Sequence, residues 1–381
     1  MTLIDVAIIG GGASGTTTAF HLASKSKKVC ILEKNISSPE KICGGGMSAA
    51  VQNWFPFKIL PIVDEVITNV EFSWCNTDKV VAELSGSSPF WIVRREKLDS
   101  FLLDQALNSG CNLLTTFNVV DVKKESNIWH ITALDGRQIE ARAVVIADGS
   151  QSPWPKAFNL GPNQQKFAST FSGRIKRRGN LGNETARFEF GLLKNGFAWA
   201  FPLKNEVNIG MGTFLDNKNS LPVNDILKSF LPALGFNPSE VIGHNKKLRI
   251  WNGHSKLNGE GILLVGDAAS LCDPFLAEGL RPALMSGFEA AKSLIYWLDG
   301  EVNCLDAYTK TVQRNWGNSM AWGKRISQVF YRFPKVGYQI GVKRPTAPKR
   351  IAQILSGEMS YEDIAKRVIK RLLFQNQSSK S

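Results

Sequence analysis

The chain has 381 residues, 43% of them hydrophobic, and a formal charge of +13 at pH 7. That length exceeds most single cores and predicts two intertwined domains. Six irregularly spaced cysteines with no Cys-x-x-Cys argue against a metal site or disulfide framework, no run reaches the ~18 apolar residues of a membrane span, and no zinc-finger, helix-turn-helix or RNA-binding signature supports a nucleic-acid partner.

In chain order, the opening MTLIDVAIIGGG carries no basic leader and is expected not to be a signal peptide. Leu3 to Ile9 reads as a buried strand, Thr16 to Ser24 as a helix and Val29 to Leu32 as a second strand ending at Glu33 and Lys34. Between strand and helix stands Gly10-Gly11-Gly12-Ala13-Ser14-Gly15, a G-x-G-x-x-G turn. Gly10 permits the tight turn, Gly12 lets backbone approach a pyrophosphate, and Gly15 allows close helix–strand packing. The phosphates would rest on the free amides around Ala13 and Ser14 at the positive end of the helix, and Glu33 would accept from the adenosine ribose. This fingerprint does not tell FAD from NAD.

Next comes Lys41 to Ser48, KICGGGMS. Cys43 is small and soft enough to line an apolar pocket, and Gly44 and Gly45 let backbone approach a flat ring. Val66 to Leu84 alternates like a hairpin, and Arg94 to Ala106 (RREKLDSFLLDQA, with Arg95) reads as a helix. Ala143 to Ser152, AVVIADGSQS, ends a strand in Asp148-Gly149. Phe167 to Phe214 is strand-rich, with turns at Arg178-Gly179-Asn180 and Lys204-Asn205. Within it Phe197, Trp199 and Phe201 alternate and so share one face, either a ligand wall or the core side of a sheet.

Gly261 to Gly287, GILLVGDAASLCDPFLAEGLRPALMSG, runs from a buried strand straight into Asp267 and two alanines. Ala268 and Ala269 are small enough for a large ligand to lie against them. Pro274, Glu278, Gly279 and Leu280 form the turn into a helix whose Pro282 suits its first turn. The basic excess is concentrated at the end: residues 321–381 hold thirteen Lys/Arg against three Asp/Glu. Tyr361 to Phe374 reads as an amphipathic helix, with Tyr361, Ile364, Val368 and Leu372 against Lys366, Arg367, Lys370 and Arg371. It would pack on its own domain or dock on an anionic membrane surface.

The segments RREKLDSFLLDQA, AVVIADGSQS and Gly266-Asp267-Ala268-Ala269 resemble flavoproteins related to aromatic hydroxylases. Together with KICGGGMS, GFAWAFPLKNEVNIGMG (196–212), DPFLAEGLRPALMSG and ILSGEMSYEDI (354–364), they resemble the geranylgeranyl reductase family over nearly the whole chain. Two departures stand out: Ala277-Glu278-Gly279 where that family has Gly-Glu-Gly, and Leu203 after Phe-Pro where it has Lys.

The resemblance implies an α/β protein. A doubly wound, Rossmann-type FAD-binding unit (1–57, 92–155, 245–300) would interleave with an antiparallel-sheet substrate domain (58–91, 156–244) and precede helices at 301–381. FAD would bond Asp267 through its ribityl hydroxyls and meet the positive end of the helix near Gly279. NADPH or reduced ferredoxin would supply electrons, with Arg174, Lys176, Arg177 and Arg178 as a transient nicotinamide site. Cys43, Gly45, Trp199 and Phe201 would face an isoprenoid or prenylated substrate, whose double bond takes a hydride on one carbon and a proton on the other. The protein would be cytoplasmic, or peripheral at a membrane. An aromatic hydroxylase, and a non-catalytic flavoprotein or prenyl carrier, are the alternative readings.

Overall fold

The computed structural model describes residues 3–36, 43–84, 89–177, 182, 184–214, 221–367 and 370. Two large sheets meet at one cavity. In the eight-stranded sheet, Ile4–Ile9 runs parallel between Val29–Leu32 and Gln138–Ile146. Asn112–Leu114 and Ile262–Leu264 extend it in parallel on either side. These strands are near-continuous apolar runs because both faces are covered: Val6 to Ile9, Val29 to Leu32, Ala143 to Ile146 and Ile262 to Leu264 are all buried.

Helix Ala13–Ala23 packs between helices Arg95–Asn108 and Leu280–Leu298. It starts earlier than Thr16 because the glycine turn feeds directly into it. Its buried Thr16, Thr17 and Thr18 satisfy their hydroxyls on carbonyls one turn back, which lets polar side chains sit in a close helix contact. That contact depends on Gly287, where a Cβ would lie 2.5 Å from the Ser14 carbonyl oxygen.

The seven-stranded sheet is ordered Ile242–Ile250, Lys166–Lys176, Glu206–Thr213, Gly196–Pro202, Thr185–Phe190, Asn69–Trp74, Thr77–Glu83. It is antiparallel except between Thr185–Phe190 and Asn69–Trp74, which run parallel. The expected hairpin is Asn69–Trp74 with Thr77–Glu83, closed by Cys75 and Asn76, both at positive φ, the turn whose twist matches paired strands. Val63–Ile67 instead joins Phe90–Val93 and Gly46–Ser48 in a three-stranded sheet. Ile242–Ile250 pairs along its length with Lys166–Lys176, so residue 245 falls inside a strand of the seven-stranded sheet. Ala198, Ala200, Ile209 and Met211 on its outer face pack against helix Val223–Phe230. The turn at 178–180 lies outside the described residues.

Helices Asp306–Val312, Asn318–Arg332, Pro334–Gly341 and Ala347–Ser356 follow, and residues 361–367 are helical. Tyr361 and Ala365 are buried while Lys366 and Arg367 are exposed; Val368, Ile369 and Arg371 to Phe374 lie outside the described residues. Among the described residues no helix is long and apolar enough to cross a membrane.

Candidate functional site

A cavity of about 600 Å³ opens where the parallel strands end. Its floor is the glycine turn. Gly10 has φ +105°, and a Cβ there would lie 2.5 Å from the Ala147 carbonyl oxygen, so the turn closes only without a side chain. Helix Ala13–Ala23 has no side-chain cap and no acid in its first turn, leaving its leading amides to the cavity lined by Gly12, Ala13 and Ser14. Gly15 is not on the wall: its Cβ would collide with the Gly10 carbonyl oxygen at 2.0 Å, which makes it the residue that lets the turn fold back. Glu33 and Lys34 line the edge. The Glu33 Oε2 accepts from the Gly11 amide at 2.8 Å and Oε1 accepts twice from Asn35, which leaves Oε2 a lone pair for a ribose hydroxyl.

Across the cavity, strand Ile262–Leu264 ends in a single turn that presents Asp267. Burial pushes the Asp267 carboxyl above its ordinary range, against the pull of Lys246, Arg95 and Arg249. Among the described residues none donates a hydrogen bond to that carboxylate. Ala268 and Pro274 are buried just behind the wall rather than on it. Arg95 lines the cavity and forks onto Asp99 at 3.2 and 3.1 Å. Burial opposes its charge, but Asp99 and the Cys43 sulfur outweigh that and hold its pKa raised. Asp148 and Gly149 line the same end. Burial pushes Asp148 up to about 6, with Ser152 opposing, and its Oδ1 is buried without a partner.

The far wall is aromatic. Phe197, Trp199 and Phe201 all line the cavity, and their rings pack with Phe90 and Phe188 at centroid distances of 5.2 to 6.3 Å. The face they share is at once sheet core and cavity wall. Cys43, Gly44 and Gly45 cross in front of it. A Cβ on Gly44 would sit 3.2 Å from both Phe201 and the Trp199 indole nitrogen. These glycines therefore fit the segment against the protein's own rings, and the expectation that they clear space for a flat ligand is met only in part. Lys41 and Ile42 of that segment lie outside the described residues.

Glu278, Gly279 and Leu280 close the cavity at the start of helix Leu280–Leu298, which is also uncapped. Glu278 is buried; one oxygen takes the Arg281 guanidinium at 2.5 Å and Oε1 has no partner. Burial pushes this carboxyl up to about 7, Arg281 pulling it down and Asp273 pushing it up. Ala277 has φ +58°, a left-handed position that glycine would hold without strain.

Several residues were not legible in the sequence. Thr170, Ser172, Lys246, Leu248 and Leu355 line the cavity from distant segments. Buried Arg249 donates to the Ala268 and Ser152 carbonyls at 3.3 and 2.9 Å, tying together the two loops that carry Asp267 and Asp148. Asn208 links Cys43 to Trp199. The basic-loop residues are engaged elsewhere: Arg174 pairs with Glu96 and Arg177 with Glu65, while Arg178 lies outside the described residues.

The model of the FAD dependent oxidoreductase family matches residues 5–152. An uncharacterized protein of Methanosarcina barkeri is 26% identical over 333 residues, 87% of this chain and 84% of its own length. The chloroplastic geranylgeranyl diphosphate reductase of Nicotiana tabacum is 26% identical over 321 residues, covering 77% and 66%. Protein FixC of Escherichia coli K12 is 26% identical over 340 residues, 77% of each chain. The fold is shared with a geranylgeranyl bacteriochlorophyll reductase-like protein of Thermoplasma acidophilum, at TM-score 0.81 and 18% identity over 97% of this chain and 99% of that one. It is also shared with the FAD-bound halogenase PltM, at TM-score 0.69 and 16% identity over 86% and 76%. FAD fits the residues present: uncapped amides would hold its diphosphate, and among the described residues the Asp267 carboxylate stands without a donor and Asp148 Oδ1 is a buried acceptor without one.

Proposed function

We propose that this chain, an FAD-dependent oxidoreductase with geranylgeranyl reductase-like relatives, reduces carbon–carbon double bonds of an isoprenoid group, with NADPH or reduced ferredoxin as electron source. The observation that carries this reading is the aromatic wall of Phe90, Phe188, Phe197, Trp199 and Phe201 in the same cavity as the FAD cradle. Such a flank suits an apolar chain and offers no charged group to an aromatic acid.

Bound FAD supplies the hydride. An isolated alkene is a poor acceptor, so the protein's task is to place it and keep water out. The packed rings do both, and Asn208 fixes the Trp199 indole through a 3.0 Å hydrogen bond. The second carbon needs a proton. Glu278 can hold one at Oε1, the oxygen that Arg281 leaves free, because its raised pKa keeps the carboxyl largely protonated up to about neutral pH. Cys43, also on the cavity wall, is an alternative donor.

The test is anaerobic. The purified flavoprotein is reduced with dithionite and mixed with geranylgeranyl diphosphate or a prenylated pigment. Reoxidation of the flavin with a product heavier by pairs of hydrogens supports the reading. Turnover only on admitting oxygen, with an oxygen atom in the product, replaces it with an aromatic hydroxylase. Absence of turnover with every reductant leaves a flavin-bound prenyl carrier.

A further inference from the structure

The helices Asn318–Arg332 and Pro334–Gly341 form a hairpin whose inner side is fully used by the fold. Phe330, Tyr331, Tyr338 and Val342 are buried, and the Tyr338 hydroxyl donates to the Asp78 carbonyl, with the Phe72 carbonyl 3.2 Å away, pinning the second helix to the seven-stranded sheet. The outer side carries Val329, Phe333, Val336 and Ile340, which are 68, 58, 56 and 52% exposed. Isolated exposed apolar residues need no explanation; four spaced four, three and four apart on one hairpin do. The charge of this segment itself is one-sided, with Asp78 of the adjoining strand an acid that pairs with Lys343 and accepts from Gln339. From Ala307 to Gly357 the chain has ten Lys/Arg and no Asp or Glu. Arg332, Lys335 and Arg344 are exposed beside the apolar stripe, Lys343 is paired with Asp78, and the Arg332 guanidinium lies 5.8 Å from the Phe333 ring centroid.

We infer that this hairpin is a docking surface for an anionic lipid bilayer. Four bare apolar side chains at the centre match the acyl boundary, and the cationic rim matches headgroup phosphates, with long basic stems reaching past the apolar stripe. A soluble acidic partner would satisfy the rim and leave the stripe bare. The surface is distinct from the amphipathic helix that begins at Tyr361, whose apolar Tyr361 and Ala365 are turned inward. The next helix, Ala347–Ser356, places Leu355 on the cavity wall. Docking here thus holds the cavity close to the lipid phase, a consequence for substrate delivery that rests on the isoprenoid reading, whereas the docking itself does not.

The experiment floats the full-length, FAD-loaded protein with phosphatidylcholine vesicles made with and without phosphatidylglycerol, using flavin absorbance and circular dichroism as fold controls. The protein is expected to float with the anionic vesicles alone and to be released by salt. Lys335→Glu with Arg344→Glu is expected to weaken partition by at least about fivefold per residue. Val336→Ser with Ile340→Ser is expected to weaken it roughly tenfold or more. The same loss from Lys366→Glu with Arg367→Glu, with the hairpin variants unaffected, would overturn the assignment in favour of the terminal helix. A charge effect without an apolar effect would overturn it in favour of a soluble acidic partner. A dimer that dissociates in the serine variant while flotation is unchanged would make the face a contact between copies. Failure of the wild type to float overturns the proposal outright, whatever the enzyme reduces.

Discussion

Asn208 donates its side-chain amide to the Cys43 carbonyl, 2.8 Å away and 165 positions earlier in the chain. Its Oδ1 accepts from the Trp199 indole at 3.0 Å and the Ser172 hydroxyl at 3.2 Å. One buried amide thus sets the glycine-rich segment against the aromatic wall. Asn208→Ala strands the indole N–H and the Cys43 carbonyl together, and a buried unsatisfied group costs about 1–3 kcal/mol. Thermal melts are expected to show a lower midpoint and flavin titration to show near-normal FAD binding, since Asn208 touches the far wall. A variant as stable as the wild type would mean that water replaces the amide.

Gly210 tests the wall from the other side. A Cβ there would lie 2.0 Å from Trp199 Cζ2, so the indole lies flat across this glycine. Gly210 sits mid-strand with ordinary backbone geometry, and Gly210→Ala is expected to move the ring rather than break the sheet. Misplacement by 1 Å can cost about a hundredfold in rate. The expected result is flavin content near wild type with anaerobic reoxidation by prenyl substrate slowed by that order. Unchanged reoxidation would show that Trp199 is packing alone.

The parallel strands, the glycine turn, Glu33 and the strand-end Asp267 were legible because each role is written in adjacent residues. A turn needs Gly10 locally, and a strand buried on both faces reads as a run such as VAII. Asn208, Arg249 and Leu355 were not legible, because each acts on a partner brought near only by folding: Cys43, the 148–152 loop and the glycine-turn cavity, respectively. Ala277 stood out only as an alanine where the resemblance expects glycine. Its φ of +58° is a backbone position that glycine fills more cheaply, by about 1–2 kcal/mol.

Glu278 gives a signed pH dependence. Its carboxyl is pushed from 4.5 up to about 7, chiefly by burial. Between those values the folded chain keeps a proton that the unfolded chain has released. Stability from this group therefore falls as pH rises through that window, by roughly 3 kcal/mol in all, and is flat on either side. Glu278→Gln is expected to lose this dependence, so that the wild-type-minus-variant difference in urea melts falls between pH 5 and pH 8. If Oε1 holds the transferred proton, wild-type turnover declines above about pH 7 and the variant is slow throughout while still binding FAD. An unchanged pH profile in the variant would assign the proton to another group, with Cys43 next to be replaced.

Asp267 should trade stability against cofactor affinity. Burial raises its pKa even though Lys246, Arg95 and Arg249 favour the charge, so the folded protein is, on balance, a poor host for this carboxylate when nothing donates to it. FAD hydroxyls would supply those donors, and hydrogen bonds to a charged group are worth about 1.5–3 kcal/mol. Asp267→Asn is therefore expected to raise the melting temperature of the flavin-stripped protein and to weaken FAD binding by roughly tenfold to a hundredfold. The two measurements must move in opposite directions. If the stripped variant melts lower, the carboxylate is serving the surrounding cations Lys246, Arg95 and Arg249 rather than waiting for a ligand, and the strand-end aspartate would have to be counted as structure.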